Sequence, residues 1–154
     1  MQRISKENYY SDIAQTVIER ATCLRRCYGA IIVKNDEIIS TGYNGAPRGR
    51  KNCVDLGCCT RESMNVPHGE RYELCRSVHA EANAIISAAR KDCVGGTLYL
   101  VGRDARTGEL LGDATSCSMC RRLIINAGLS KVIMRTGADS FSEVDVEEWI
   151  QDEG

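Results

Sequence analysis

The chain has 154 residues, of which 43% are hydrophobic and 27% charged, with a formal net charge of −1. That length suits a single domain over residues 1–154 with a core of its own, and the near-zero charge speaks against a global positive field that would draw it onto a nucleic-acid backbone. No run of about 18 apolar residues offers a membrane span, and the polar start Met1-Gln-Arg-Ile-Ser-Lys-Glu-Asn8 lacks the apolar stretch of a signal peptide, so a cytoplasmic protein with no membrane or nucleic-acid partner is expected.

The first predicted element is an amphipathic helix from Tyr9 to Cys27, with Ile13, Val17, Ile18, Ala21 and Leu24 at helical spacing. Gly29 to Val33 is a short β-branched run, Lys34-Asn-Asp-Glu37 a turn, and Ile38 to Thr41 a second strand, which together predict a hairpin. Gly42 to Lys51, with three glycines and Pro47, predicts an ordered loop. From Asn52 to Ser77 the chain is polar, cysteine-bearing and irregular, with a short helix around Arg61 to Asn65. His79 to Arg90 is alanine-rich and strongly helical by propensity. Gly95-Gly96 ends that unit, and Thr97 to Val101 is a strand. Cys117 to Ala127 predicts a helix closed by Gly128. Lys131 to Met134 is a further strand and Val144 to Ile150 a terminal acidic helix. The order α-β-β-α-β-α-β-α predicts an α/β protein with a central mixed sheet between helical layers.

The chain carries nine cysteines. An odd count with no secretory start fits a disulfide framework poorly, so metal ligation or catalysis is the leading expectation, with some thiols simply buried. Two segments concentrate the chemistry: His79-Ala80-Glu81 and Cys117-Ser118-Met119-Cys120. A CxxC at a helix start lets both sulfurs face one ion, and thiolates there gain from the positive end of the helix dipole. His79, opening another helix, completes three ligands and leaves zinc a fourth position for water, the mark of a catalytic site. Glu81 need not be a ligand; a carboxylate beside the metal can take and deliver protons. CxxC alone also fits a redox pair or half of a structural zinc site, and His79-x-Glu81 is what tips the balance.

The combination matches the H-x-E…P-C-x-x-C signature of zinc-dependent nucleobase deaminases, with Ser116 where the signature has proline. Proline there would stiffen the entry to the helix, whereas serine can cap it. Gly42-Tyr-Asn-Gly-Ala-Pro-Arg-Gly49, Cys75-Arg-Ser-Val-His79-Ala-Glu-Ala-Asn-Ala-Ile85, Thr22-Cys-Leu-Arg25 and Ile124-Ile-Asn-Ala-Gly128 resemble the deoxycytidylate (dCMP) deaminase family, from about Tyr9 to Val132.

The resemblance implies a three-layer α/β/α cytidine-deaminase-like fold and conversion of dCMP to dUMP and ammonia. It also implies a zinc cofactor, a homo-oligomer (hexameric in many members), and control by dCTP and dTTP, with Mg2+ as a candidate companion of an effector nucleotide. Carried over by position, Asn44 would contact the substrate sugar, the backbone around Ala80 and Ser116 would line the base pocket, and Arg26 would contact the phosphate, with Arg25, Arg48, Arg50 and Lys51 competing for that role. Cys23, Cys53, Cys75 and either His68 or one of Cys58 and Cys59 fall where some members hold a second, structural zinc, and the long irregular stretch needs something to hold it. Cys27 and Cys93 are assigned to packing, and Tyr9, Tyr10 and Trp149 to core or interface. Some members place an aromatic shortly after the last core strand, where it could stack on the base; here Arg135 to Phe141 offers only Phe141, several residues late, a departure from that pattern, so the C-terminal tail does not confirm dCMP. Two alternatives remain open: a deaminase of another nucleoside, nucleotide or base, and a non-catalytic zinc module serving as an interaction platform, which would have no need of Glu81.

Overall fold

The computed structural model describes residues 1–152. Strand β1 (Arg26–Lys34) is joined to β2 (Glu37–Tyr43) by a tight hairpin in which Asn35 and Asp36 both take positive φ (52° and 60°). That left-handed pair is what a two-residue turn matching the strand twist requires, and Asn and Asp tolerate it. Antiparallel to β1 on its other side lies β3 (Thr97–Asp104), then β4 (Lys131–Arg135) parallel to β3, and β5 (Phe141–Asp145) antiparallel at the edge. Among the described residues the sheet order is β2-β1-β3-β4-β5.

Both faces of the sheet are covered. Ile31, Val33, Tyr99, Val101 and Ile133 pack against Tyr10, Ala14 and Ile18 of the first helical segment, α1 (Lys6–Val17) and its 3₁₀ extension. The alternate residues Ala30, Ile32, Leu98, Leu100, Val132 and Met134 point the other way. They meet Ala80 and Ala84 of the helix Ala80–Ile86, Ile124 and Ala127 of the helix Ser118–Ala127, and Val146 of the helix Val146–Gln151. In chain order, with the short helices Cys53–Leu56, Thr60–Ser63 and Arg90–Cys93 included, these elements are α2 (Cys53–Leu56), α3 (Thr60–Ser63), α4 (Ala80–Ile86), α5 (Arg90–Cys93), α6 (Ser118–Ala127) and α7 (Val146–Gln151). The three-layer α/β/α expectation with a mixed sheet therefore holds. No helix among the described residues is long and apolar enough to cross a membrane.

Three boundaries differ from the sequence reading. The first helix ends at Val17, with a 3₁₀ turn to Arg20, and does not reach Cys27. Arg26 and Cys27 are claimed by strand pairing with Asp104 and Arg103. The alanine-rich stretch 79–90 breaks after Ile86, because the chain must turn back to enter β3; Ala88 bonds to Ile85 in a tightened last turn. β5 was not expected, and the terminal helix starts after it. Four of its five positions are exposed, so it lacks the alternation that reveals a half-buried strand.

Candidate active site

His79 and Cys117 occupy equivalent places. Each is the N-cap of a helix on the same face of the sheet, with extended backbone (φ −68°, ψ 153° and φ −69°, ψ 167°), and neither side chain caps its own helix. Cys120 follows in the first turn of α6, and Glu81 in the first turn of α4. The two helix starts are thus turned toward each other, with the side chains His79, Cys117 and Cys120 between them.

What holds α4 in place is a close approach of backbones. A Cβ on Gly42 of β2 would stand 2.4 Å from both the Ala80 carbonyl oxygen and the Ala84 nitrogen, so only glycine lets the helix sit this near the strand. Ser40 Oγ donates to the Ala84 carbonyl at 2.7 Å and Asn83 Nδ2 to the Tyr43 carbonyl at 2.8 Å. Just before the helix, Gly45 and Val78 form a two-bond antiparallel bridge (3.2 and 2.7 Å). His79 also meets the edge of the Tyr72 ring, 5.3 Å between centroids at 89°, which limits rotation of the imidazole.

The donor atoms fit a tetrahedral zinc. His79 Nδ1 lies 3.5 Å from Cys117 Sγ and 3.4 Å from Cys120 Sγ, and all three ligand atoms fall within 4.8 Å of one another. Zinc with bonds of about 2.3 Å to sulfur and about 2.0 Å to nitrogen at tetrahedral angles separates N from S by about 3.5 Å. The protonation pattern also suits a cation. Hydrogen bonding from Cys120 pulls the Cys117 thiol down to about 4, with His79 adding to the effect, while the same contact with Cys117 and burial push Cys120 up. The contact with Cys117 raises His79 against the opposing effect of burial. A thiol held low beside a buried imidazole favours the thiolate that a divalent metal binds.

Glu81 is 4% exposed. Burial raises its pKa, partly offset by its own backbone N–H, by Ser116 and by His79. Ser116 faces it, itself 1% exposed, but its Oγ makes no hydrogen bond of ordinary geometry among the described residues. A carboxyl whose proton is held more tightly than usual, next to a candidate metal, is suited to proton transfer near neutrality.

Above these residues a cavity is lined by Arg25, Arg26, Arg61, Arg76 and His68, with Glu81 its acidic member. Arg26 opens β1 and forms no ion pair among the described residues, whereas Arg25 is tied to Glu62 at 2.8 Å and touches His68. Of the other competitors, Arg48, Arg50 and Lys51 do not line this cavity. Asn44 does line it, 5% exposed, but much of its amide serves β1: Oδ1 accepts from Tyr28 N at 2.8 Å and Nδ2 donates to the Arg26 carbonyl at 2.9 Å. One N–H and one lone pair remain. Ala80 is wholly buried, its methyl in the core. Phe141 lies in β5 and does not line the cavity.

Cys23, Cys53, Cys59, Cys75 and His68 line the cavity's other wall. Burial raises the Cys53 thiol, and Cys23, Cys75 and Cys59 are near enough to add to it. Cys23 and Cys75 each accept a backbone N–H two residues on, from Arg25 and Ser77, both at 3.4 Å. This group is looser than the His79 triad, and His68 is turned to Arg25. Cys58 is exposed and apart. Sequence reasoning missed Arg61 and Tyr72. Arg61 is 6% exposed, donates to the Glu70 and Pro67 carbonyls, and stacks 4.4 Å over Tyr72. No periodicity in that stretch could have flagged them.

Comparison with known proteins agrees with this geometry. A family model described as the cytidine and deoxycytidylate deaminase zinc-binding region matches residues 4–136. A deoxycytidylate deaminase from Mycobacterium phage D29 is 34% identical over 137 residues, covering 86% of this chain and 96% of that protein. One from Schizosaccharomyces pombe is 32% identical over 134 residues, covering 87% of this chain but 38% of that protein. The dCMP deaminase of cyanophage S-TIM5, solved in complex with dCMP and dUMP, superposes with a TM-score of 0.58 at 25% identity, over 88% of this chain and 84% of that one. The chain belongs to the cytidine and deoxycytidylate deaminase family.

Proposed function

We propose that this protein hydrolyses dCMP to dUMP and ammonia, with zinc held by His79, Cys117 and Cys120. The observation that carries the reading is the zinc-sized donor triangle with the buried Glu81 carboxyl beside it, at the floor of a cavity walled by arginines. When bound there, zinc would supply a Lewis acid that acidifies water. With zinc bound, Glu81 would take a proton from water and give it to the ring nitrogen N3 as the water oxygen bonds to C4, and would then carry the proton of the new C4 hydroxyl to the amine. The exocyclic C4–N bond would then break, ammonia would leave and a C4 carbonyl would remain. Asn44 has one N–H and one lone pair left for the sugar, the backbone around Ala80 and Ser116 lines the base, and the Arg26 guanidinium, which reaches Tyr28 and forms no ion pair among the described residues, takes the phosphate.

The looser thiol group is read as a second, structural zinc site, from Cys23, Cys53, Cys75 and either His68 or Cys59. The backbone N–H bonds to Cys23 and Cys75 support it, since they stabilise thiolate sulfur. Assembly into a homo-oligomer is supported by the exposed Ile86 of α4 and Met119 and Leu123 of α6. Control by dCTP and dTTP with Mg2+ belongs to the same reading by resemblance.

Ultraviolet-monitored deamination of dCMP, deoxycytidine, cytidine and dCTP, beside metal analysis, tests the proposal. Preference for dCMP is expected. Turnover of none of the four in zinc-loaded protein would overturn the substrate assignment, and one zinc per chain that disappears in Cys117→Ala would remove the second site.

A further inference from the structure

Where the deaminase signature has proline before the first cysteine, this chain has Ser116, so the peptide that delivers Cys117 must be held by other means. It has little of its own: among the described residues, 112–116 make no backbone–backbone hydrogen bond outside regular elements. Arg121 reaches back from α6 to this strap. Its Nε donates to the Ser116 carbonyl at 3.0 Å and its Nη2 to Thr115 Oγ1 at 3.5 Å. The guanidinium carbon stands 5.0 Å from the centroid of the Trp149 ring on α7. Trp149 packs in turn against the core cluster that contains Ile124 and Val146.

We infer that Arg121, braced by Trp149, is a positioning residue that fixes the 115–117 strap, so that Cys117 Sγ is held beside His79 Nδ1 and Cys120 Sγ in the candidate zinc site. It replaces the conformational restriction that proline provides in the signature. The inference rests on the zinc-deaminase reading and goes beyond it. Its physics is that of a planar cation: the face stacks on an indole while the edge donates to a carbonyl, a double engagement that lysine cannot reproduce. The guanidinium–carbonyl bond is charge-assisted, and so stronger than a neutral pair. Neither contact touches substrate, so the residue acts only through the strap.

Trp149 is the sole tryptophan of the chain, which makes its emission a direct report on the stack. The test compares wild type, Arg121→Ala, Trp149→Phe and the double variant Arg121→Ala/Ser116→Pro. It measures zinc content, the rate of zinc transfer to a colorimetric chelator, Trp149 emission before and after stripping, and kcat and KM for dCMP. Wild type is expected to change its emission when zinc leaves, because the strap relaxes and carries Arg121 with it. Arg121→Ala should still take up zinc but release it about tenfold faster, lose about tenfold in kcat, and show an emission that no longer responds to stripping. Trp149→Phe, which keeps the hydrogen bonds, should release zinc about two- to fivefold faster, and it carries the test should Arg121→Ala fail to fold. Proline at 116 should restore slow release and most of kcat to the Arg121→Ala protein. Wild-type zinc release in both single variants, or folded Arg121→Ala that proline does not rescue, overturns the positioning role. A wild-type protein that binds no zinc would instead overturn the underlying zinc-deaminase reading, and the inference with it.

Discussion

The close approach of β2 to α4 allows a quantitative test of how tightly the fold holds the site. Replacing Gly42 by Ala places a methyl 2.4 Å from the Ala80 carbonyl oxygen and the Ala84 nitrogen, both backbone atoms that cannot swing aside. Ordinary contact begins near 3.4 Å, so the helix must retreat by about 1 Å. The retreat strains the Ser40 and Asn83 bonds that tie α4 to β2, and over-packing of this kind costs about 1–3 kcal/mol. Because His79 and Glu81 ride on the first turn of α4, they move with it, and a misplacement of about 1 Å costs on the order of 100-fold in rate. Urea denaturation and steady-state dCMP deamination read the two effects separately. The expected result is a lower urea midpoint together with a kcat reduced by about two orders of magnitude. A Gly42→Ala protein with wild-type kcat would show that α4 tolerates displacement, and the account of how the site is positioned would be wrong.

Further outcomes follow from the same geometry. Glu81→Gln keeps the shape and the metal ligands but removes the proton carrier, so kcat should fall by about 10³ with zinc content unchanged; loss of zinc instead would make Glu81 a ligand. Arg26→Ala should raise KM for dCMP about tenfold while leaving deoxycytidine kinetics alone, and equal effects on both substrates would refute a phosphate contact. Tyr10 donates to Asp36 at 2.5 Å; this bond and burial raise the Tyr10 hydroxyl to about 12, while the same bond and Lys6 lower the Asp36 carboxyl. For Asp36 the folded state binds the proton more weakly, so its contribution is lost as pH falls below the ordinary carboxylate value near 4; for Tyr10 it binds more tightly, so the contribution is lost as pH climbs from about 10 to 12. The melting-temperature gap between wild type and Tyr10→Phe should therefore be widest at intermediate pH and close at both ends, and a gap independent of pH would contradict the pairing.

The candidate metal cluster of His79, Cys117 and Cys120 was legible as a grouping because its information is local. His-x-Glu and CxxC each lie within one turn, and the helix starts that carry them announce themselves by propensity and by the glycine that closes α6. The hairpin was legible too, since Asn35-Asp36 between two β-branched runs is a turn with a mechanism. What escaped depends on partners far along the chain. The stretch 79–90 reads as one helix from its alanines alone, and only the need to re-enter the sheet beside β1 breaks it at Ser87. β5 exists because β4 offers it an edge, not because Ser142 and Glu143 favour a strand. Arg61 looks like a surface charge until the carbonyls of Pro67 and Glu70 close around it. Arg121 reads as an ordinary helix residue until α7 brings Trp149 against it.

The excursion between Asn52 and Ser77 adds no strand to the sheet and is closed upon itself by Arg61. Its two ends are pinned: Asn52 Oδ1 accepts from Thr22 Oγ1 at 3.0 Å and from Ala46 N at 3.1 Å, and Val78 is bridged to Gly45. An excursion clamped at its base can change in length and composition at small entropic cost to the rest of the chain. Here that same excursion supplies one wall of the cavity, including Thr60, Arg61 and Tyr72, while His79, Cys117 and Cys120 stand at two helix starts outside it. Substitutions, insertions or deletions within the excursion can therefore change what the cavity admits without disturbing the sheet beneath it, so that cavity shape and fold are encoded on largely separate stretches of the chain.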